Sequence, residues 1–322
     1  MNSTDTLHLN PLQAIGRTFG WLARFVVLVI LYFALFAASG QIVGAYLPTN
    51  ISPEPGPLPL MTAFSIACVA ITLVIMWAIH SSRWHGWKLM LAMSIAYYLV
   101  NTLVTQLEAW YFLYGITVGP ELMGRLFLQG IPVAFLFVPI AVIVMGRLRA
   151  AESESTEIAP MPLKEWLWKL GVIYIVYLVV YYLAGYFIAW QNPEVRAFYG
   201  SPGEALPLFQ QMAHIFTNDP WLTPYQFVRT LIWVAGANIV IRGTRLPLWQ
   251  TALLIGLLLS VPQNIGHLIP NPMIPLNSVR ISHMIETASS TFVFGVVVAW
   301  LLYPKFSTVQ MRAKIGHKGH SR

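Results

Sequence analysis

Two side chains that could exchange protons or hold a metal ion lie one helical turn apart late in the sequence, His283 and Glu286. An imidazole and a carboxylate at this spacing face the same side of a helix, as either chemistry requires. A third metal ligand would have to come from elsewhere, and Glu108 and His267 are the candidates. One prediction is therefore a divalent metal held by His283, Glu286, Glu108 and His267, and the other is a metal-free site for protons or solute.

These residues belong to three polar stripes on otherwise apolar segments. At about 100° per residue, the members of each stripe share one helix face. Ionisable groups inside a membrane span are costly and usually face protein or water, so they mark a candidate site. The alternative is that the polar groups only bond across helices or reach the interface. The predicted binding residues are Asn101, Thr105 and Glu108 on the first stripe, Gln263, Asn264 and His267 on the second, and Arg280, His283, Glu286 and Ser290 on the third.

The composition indicates which kind of protein carries these stripes. The 322 residues are 57% hydrophobic and 10% charged, whereas about a quarter of the residues of a soluble domain are charged. The chain is therefore predicted to be a multi-pass membrane protein in contact with the lipid bilayer. Its net charge of +7 does not indicate nucleic acid, because most of the basic residues flank apolar segments. The single cysteine, Cys68, excludes an intramolecular disulfide.

Eight apolar segments approach the roughly 20 residues that span a bilayer. They predict an all-α polytopic membrane helix bundle of about eight transmembrane helices. The sixth segment carries Arg229 and Asn238, which predicts that it is tilted, shielded by its neighbours or partly interfacial. Pro132, Pro139 and Pro262 should loosen the backbone of the fourth and seventh. The segments are residues 21–38, 58–79, 89–112, 126–145, 170–190, 222–241, 248–269 and 281–303.

The distribution of Lys and Arg predicts the orientation, since short cytoplasmic loops retain positive charge. With both termini cytoplasmic, fourteen of the 19 basic residues lie on the cytoplasmic side. The opposite side has Arg125, Arg196, Arg229 and Arg280. The third and seventh segments then run outward and carry their polar residues late, while the eighth runs inward and carries them early. All three stripes are therefore predicted to meet in the outer half of the membrane.

The middle of the chain predicts a division into two halves. Residues 147–165 are charged and contain Ser and Pro, as in a flexible linker. They separate a first four-helix half, 1–146, from a second, 166–304, which is followed by a basic cytoplasmic tail, 305–322. Arg83, Trp87 and Asn101 recur as Arg245, Trp249 and Gln263, each pair 162 residues apart. The pattern favours a 4+4 repeat whose halves have the same orientation.

The exported segment 191–221 is the longest predicted loop. Its apolar residues from Leu206 to Phe216 predict a short helix at the outer interface or, as the alternative, a loop packed over the helix ends.

The segment from Pro270 to Gly295 carries a further pattern. The sequence Pro270-Asn271-Pro272, then Arg280, His283 and Glu286, and finally Phe292 to Gly295 resembles an uncharacterised family of bacterial multi-pass integral membrane proteins. The resemblance covers the last two segments. It implies a bacterial cell-membrane location, and it implies no activity.

Three functions remain open from the sequence. The first is a protein with an outward-facing polar pocket that binds or transports a cation, a proton or a small polar solute. The second is an outer-leaflet intramembrane enzyme that depends on a metal. The third is a structural or partner-binding membrane subunit, in which the stripes specify helix packing. The catalytic residues, the solute and the oligomeric state do not follow from the sequence.

Overall fold

The protein is an all-helical bundle. The computed structural model describes residues 11–149 and 160–304, apart from the side chains of residues 11–15 and 17, and these ranges contain no strand. The predicted tail 305–322 and the middle of the predicted linker lie outside the described residues. In chain order the helices are α1 (Pro11–Gly44), α2 (Leu60–Ser81), α3 (Gly86–Leu113), α4 (Pro120–Val144), α5 (Leu163–Ala189), α6 (Pro193–Phe198), α7 (Leu208–Asn218), α8 (Leu222–Gly243), α9 (Leu248–Leu268) and α10 (Asn277–Leu302).

Among the described residues, seven helices are long and apolar enough to cross a membrane: α1 to α5, α9 and α10. This confirms the predicted class, a polytopic helical membrane bundle. Helix α8, the predicted sixth span, is 22 residues long but less apolar. Its side chains Gln226, Arg229 and Thr230 are at most 2% exposed, whereas Phe227 and Leu231 on its other side are exposed. The polar residues of α8 thus face protein, which removes the need for an apolar sequence.

The connections between the long helices lie at two opposite ends of the bundle. At one end, which we call the basic end, the turns that contain Arg83, Arg147 and Arg245 meet, and the Arg147 guanidinium donates to the carbonyl of Ser82. The other end, which we call the loop end, consists of residues 45–59, 114–119, 190–221 and 269–276. Because α8 begins at the loop end and ends at the basic end, the eight long helices alternate in direction.

The turns that precede α3 and α9 make equivalent backbone hydrogen bonds at the basic end. The amide of Arg83 donates to the Gly243 carbonyl (2.7 Å), and the amide of Arg245 donates to the Ser81 carbonyl (3.0 Å). These bonds are equivalent under the 162-residue offset found in the sequence. The same offset relates α2 to α8, which are both 22 residues long. These observations support the proposal of two similar four-helix halves.

The part of the bundle next to the basic end is densely packed. Helices α9 and α10 touch at Gly256 and Gly295, where a Cβ added to Gly295 would lie 2.8 Å from the Gly256 Cα. Phe294, Trp233 and Phe137 are fully buried. The apolar core of the described residues therefore fills this part of the molecule.

Several helices are irregular nearer the loop end. Pro132 and Pro139 flank a π-helical turn of α4, and Pro262 precedes the 3₁₀ turn that ends α9, as the sequence predicts. Helices α3 and α5 also contain π-helical turns, although these turns contain no proline from which they could be predicted. Such turns recur at functional sites, because they redirect side chains. The π-helical turns are Tyr98–Leu103 in α3, Val133–Phe137 in α4 and Gly185–Ala189 in α5.

The long segment after α5 contains two short helices, α6 and α7. The predicted surface helix is present as α7, whose two sides differ. Phe209 is 84% exposed, whereas Gln211 is 5% exposed. The buried side of α7 faces the interior of the loop end.

Candidate functional site

A cavity of about 790 Å³ lies at the loop end, between the two halves of the chain. The three polar stripes converge on it, so the structure brings the predicted residues together at one depth. Ser290 is the exception, since its hydroxyl donates to the Thr287 carbonyl of its own helix (3.2 Å). The predicted residues that line the cavity are Asn101, Thr105, Glu108, Gln263, Asn264, His267, Arg280, His283 and Glu286.

Glu108 on α3 is held by two partners from the second half. Its Oε1 pairs with Arg229 Nη2 at 2.9 Å, and its Oε2 accepts a hydrogen bond from Gln263 Nε2 at 2.8 Å. Both carboxylate oxygens are therefore occupied. A charge-assisted pair of this kind is stable in a poorly solvated place only while both partners remain.

Arg229 is the member of the site that the sequence did not assign. It is 2% exposed, and Gln226 on the previous turn accepts from its Nη1 at 3.1 Å. The rings of Tyr177, Tyr181 and Tyr225 surround the guanidinium at 5.7 to 5.9 Å. Aromatic faces stabilise a buried cation in addition to its carboxylate partner. The sequence signal was an arginine in the middle of an otherwise apolar segment.

The second acidic group belongs to a chain of three side chains. His283 Nδ1 lies 3.0 Å from Glu286 Oε2, and because a carboxylate only accepts, Nδ1–H is the donor. On the other side of the ring, His283 Nε2 lies 3.0 Å from the Tyr199 hydroxyl. Burial raises the pKa of Tyr199, so this hydroxyl stays protonated and can donate to a neutral imidazole.

Helix α6 positions Tyr199 over this chain. Asn192, which precedes α6, donates from Nδ2 to the Ser282 hydroxyl of α10 at 2.9 Å. Ser278 of α10 also bonds to the carboxylate of Glu194. These contacts tie the segment before Tyr199 to the helix that carries His283.

Among the side chains that line the cavity, two acceptor oxygens of the polar stripes stand out because no hydrogen bond reaches them. One is Oε1 of Glu286, whose only bonded side-chain atom is Oε2, and the other is Oε1 of Gln263. Both residues line the cavity, and their side chains are 6% and 8% exposed. A buried acceptor without a partner is costly, so a ligand that donates hydrogen bonds or carries positive charge would be stabilised here.

Part of the polar stripes joins α9 to α10. Thr287 donates to the amide oxygen of Asn264, and Ser260 donates to the Ala288 carbonyl at 2.8 Å. His267 bonds through Nδ1 to the Asn264 carbonyl at 3.0 Å. For Ser260, Asn264 and Thr287, the interhelical packing role therefore describes the observed contacts.

The contacts of Arg280 differ from those that its position in the sequence predicts. Because Arg280 lies one turn before His283, the sequence predicts either that it holds the charge of Glu286 or that it binds lipid phosphate at the exported surface. Instead, its side chain is fully buried and donates to the carbonyls of Ile274, Pro275 and Glu54 at 2.6 to 3.0 Å. Both expectations are wrong, because loop carbonyls that only the fold brings together occupy the guanidinium.

The four predicted metal ligands do not form a metal site. Across residues 11–149 and 160–304, no three His, Cys, Asp or Glu side chains are grouped so that they could hold a metal ion. Glu108 is instead paired with Arg229, and Glu286 with His283. The predicted set of Glu108, His267, His283 and Glu286 is therefore corrected to two separate pairs and an isolated histidine.

The cavity also has lining residues outside the three stripes. Tyr111 donates to Asp219 at 2.6 Å across the mouth of the cavity, and Gln211 of α7 forms part of its cover. A further part of the lining is aromatic, with Tyr181, Tyr182 and Tyr186 from α5 and Trp190 directly after it.

No protein family, curated protein or solved structure matches the chain. Its class is therefore defined by its own structure, a polytopic helical membrane protein with a cavity at one end that is lined by both polar and apolar side chains.

Proposed function

We propose that the protein binds a small polar solute or a cation in the cavity at the loop end, as a receptor for that ligand or as one state of a transporter. One observation carries the proposal: Glu286 lines the cavity, is 6% exposed and leaves one carboxylate oxygen without a partner. A carboxylate in such a place lowers the stability of the fold. Ionisable groups that are nevertheless found inside a membrane protein usually belong to functional sites. Glu108 in the same cavity has partners on both oxygens, so Glu286 is the carboxylate of the polar stripes that can take a ligand.

The size and position of the cavity support this proposal. Its volume of about 790 Å³ falls in the range of roughly 300–1,000 Å³ that is typical of small-molecule sites. Irregular backbone is tolerated at membrane depth mainly where it lines a cavity, and the π-helical turns of α3, α4 and α5 all contribute lining residues: Asn101, Val133 and Gly185.

The metal-dependent enzyme is the weaker alternative, since its predicted ligands are not grouped. A structural subunit remains an outcome of the test below. In that case the cavity would hold no ligand, and Glu286 would be replaceable.

The test is a stability screen with purified protein in detergent. Water-soluble metabolites of positive, negative and zero charge are added singly, and the melting temperature is measured for wild type, Glu286→Gln and Ser289→Ala. Ser289 lies on the same helix and bonds only to carbonyls of that helix, so it is the matched control. We expect at least one compound to stabilise wild type and Ser289→Ala but not Glu286→Gln. Stabilisation that is equal in all three proteins, or none, would reject the site.

We further propose that the basic end is cytoplasmic, that both termini lie on that side, and that the cavity opens outward in a bacterial cell membrane. The basic residues of the turns support this orientation, and the resemblance of residues 270–295 to bacterial membrane proteins supports the location. Reporter fusions after Ser155 and after Arg322 should report the cytoplasm, and a fusion after Pro202 the exported side. An exported signal from the Ser155 fusion would reverse the orientation.

A further inference from the structure

We infer that the ligand is an organic cation with an apolar body, and that its positive charge lies against Oε1 of Glu286. This inference rests on the proposed binding function and deepens it, because it names the chemical class of the ligand. Charge, wall chemistry and space each support it separately.

The fixed charges around the cavity favour a cation. Three carboxylates face it, those of Glu108, Glu286 and Asp219. The two guanidinium groups that accompany them are Arg229, which is paired with Glu108, and Arg280, which is bonded to loop carbonyls. Counted without the histidines, these groups carry three negative and two positive charges, so the carboxylates exceed the guanidinium groups by one. A monovalent cation would complete the balance in a place where water screens charges poorly.

The wall beside Glu286 suits an organic cation. Tyr181, Trp190 and Tyr199 line the cavity together with Glu286, and Tyr199 bonds to the histidine that pairs with this carboxylate. Aromatic faces attract ammonium groups, and they do so most strongly when the groups are desolvated. Tyr181 already makes such a contact, because its ring lies 5.9 Å from the guanidinium of Arg229.

The opposite wall suits an apolar body. Helices α1 and α4 contribute Phe36, Val43, Leu126 and Val133. A small side cavity of about 50 Å³ near Cys68 shares several lining residues with the main cavity and extends this apolar surface. Burial of apolar surface against such a wall stabilises a ligand.

An inorganic cation fits the site less well. Calcium takes six to eight oxygen ligands and magnesium about six, whereas no three His, Cys, Asp or Glu side chains of the described residues are grouped so that they could hold a metal ion. An anion would face the free carboxylate oxygen directly. The organic cation is the class that uses the charge, the rings and the apolar wall together.

Gly185 provides a sharp variant for the test. A Cβ added to Gly185 would lie 3.4 Å from Oε1 of Glu286, and the same change at Gly171 on the same helix would contact nothing within 4 Å. Gly185→Ala therefore covers the proposed cation position with a methyl group and leaves the charge in place. Gly171→Ala is the matched control for the general effect of alanine in α5.

The experiment measures binding by isothermal titration calorimetry to the full chain in detergent. The probes are benzyltrimethylammonium, which has both charge and body, tetramethylammonium, which lacks the body, and phenylacetate, which has a body of opposite charge. We expect benzyltrimethylammonium to bind wild type and Gly171→Ala, tetramethylammonium to bind about tenfold more weakly, and phenylacetate not to bind. Gly185→Ala should weaken benzyltrimethylammonium by about tenfold or more. Melting temperatures of the unliganded variants verify that each is folded.

The outcomes separate this inference from the function on which it rests. If phenylacetate or a neutral metabolite binds and Gly185→Ala weakens it, the cavity is a binding site but not for organic cations. Equal binding of benzyltrimethylammonium to Gly185→Ala and wild type would also reject the inference, because the cation would then lie elsewhere. If neither these probes nor any metabolite binds folded wild type, the inference and the proposed function both fail.

Discussion

The two ends of the bundle are built differently. Toward the basic end, α9 and α10 approach until their glycines touch, and the turns of the two halves exchange backbone hydrogen bonds. At the loop end, the bundle encloses a cavity of about 790 Å³. The polar residues of the membrane interior are concentrated in the hollow part, and the fully buried apolar residues in the packed part.

This difference between the two ends limits how deeply a ligand can enter the bundle from the loop end. In the state described, a solute can reach Glu108 and Glu286, but it meets closely packed side chains such as Trp233 and Phe294 below them. A receptor would keep this arrangement throughout its cycle. A transporter would have to open the packed end while closing the hollow one.

The largest contrast is expected in chemical access to α3, which passes through both regions. Thr105 lines the cavity, whereas Ser94, on the same helix toward the basic end, is 1% exposed. In a Cys68→Ala background, Thr105→Cys should react readily with a small charged thiol reagent, and Ser94→Cys should not. The measurement is the mass increase of the intact protein. Reaction of Ser94→Cys only when a ligand is present would identify a transporter, and reaction of both without ligand would contradict the packed end.

A large stability effect is expected from the ion pair in the floor of the cavity. Arg229→Met removes the counter-charge of Glu108, and the loss of one partner from a buried pair costs about 3 kcal/mol. Adding Glu108→Gln should restore much of this stability, because no unpaired charge then remains. Thermal or denaturant unfolding in detergent measures both variants. Arg125→Met, which loses only a ring contact with Tyr46, is the control, and additive losses in the double variant would show that the two residues act separately.

A somewhat smaller effect is expected in the packed region. Gly295→Ala places a methyl group 2.8 Å from the Gly256 Cα, and overpacking of this kind costs about 1–3 kcal/mol. Gly124→Ala on α4, which would contact nothing within 4 Å, should be neutral or slightly stabilising. A melting temperature of Gly295→Ala equal to that of wild type would show that α9 and α10 separate easily. The packing of these two helices would then not be evidence that the basic end is closed to a solute.

The sequence predicted the bundle and the depth of the site because both follow from periodicity and charge. Apolar length defines a span, and the direction of each span places Glu108, Gln263 and His283 at one level. Helix direction accounts for their common level, whereas the side of α3 to which Glu108 points also depends on the π-helical turn Tyr98–Leu103, which the sequence did not predict.

The partners within the site could not be predicted in the same way. Which residue pairs with Glu108 depends on which helices are neighbours. In the sequence, Arg229 indicated only that the sixth segment is tilted, shielded or partly interfacial, and not that it is the counter-charge of Glu108. Arg280 was misassigned because its acceptors are carbonyls of loops 54–55 and 274–275. Backbone carbonyls are present at every position, so the sequence holds no signal for the few that a fold gathers around one side chain.

Because of the π-helical turn Tyr98–Leu103, the directions of the side chains that follow on α3 depend on the number of residues in this turn as well as on their type. Such a turn contains one residue more than a regular helical turn, so the residues that follow it are rotated by about 100° from where an uninterrupted α-helix would place them. Deleting one residue from this turn would leave composition and hydropathy almost unchanged. It would nevertheless turn Glu108 away from Arg229 and Gln263. A single-codon deletion can therefore dismantle the cavity floor where conservative substitutions along the same helix would not.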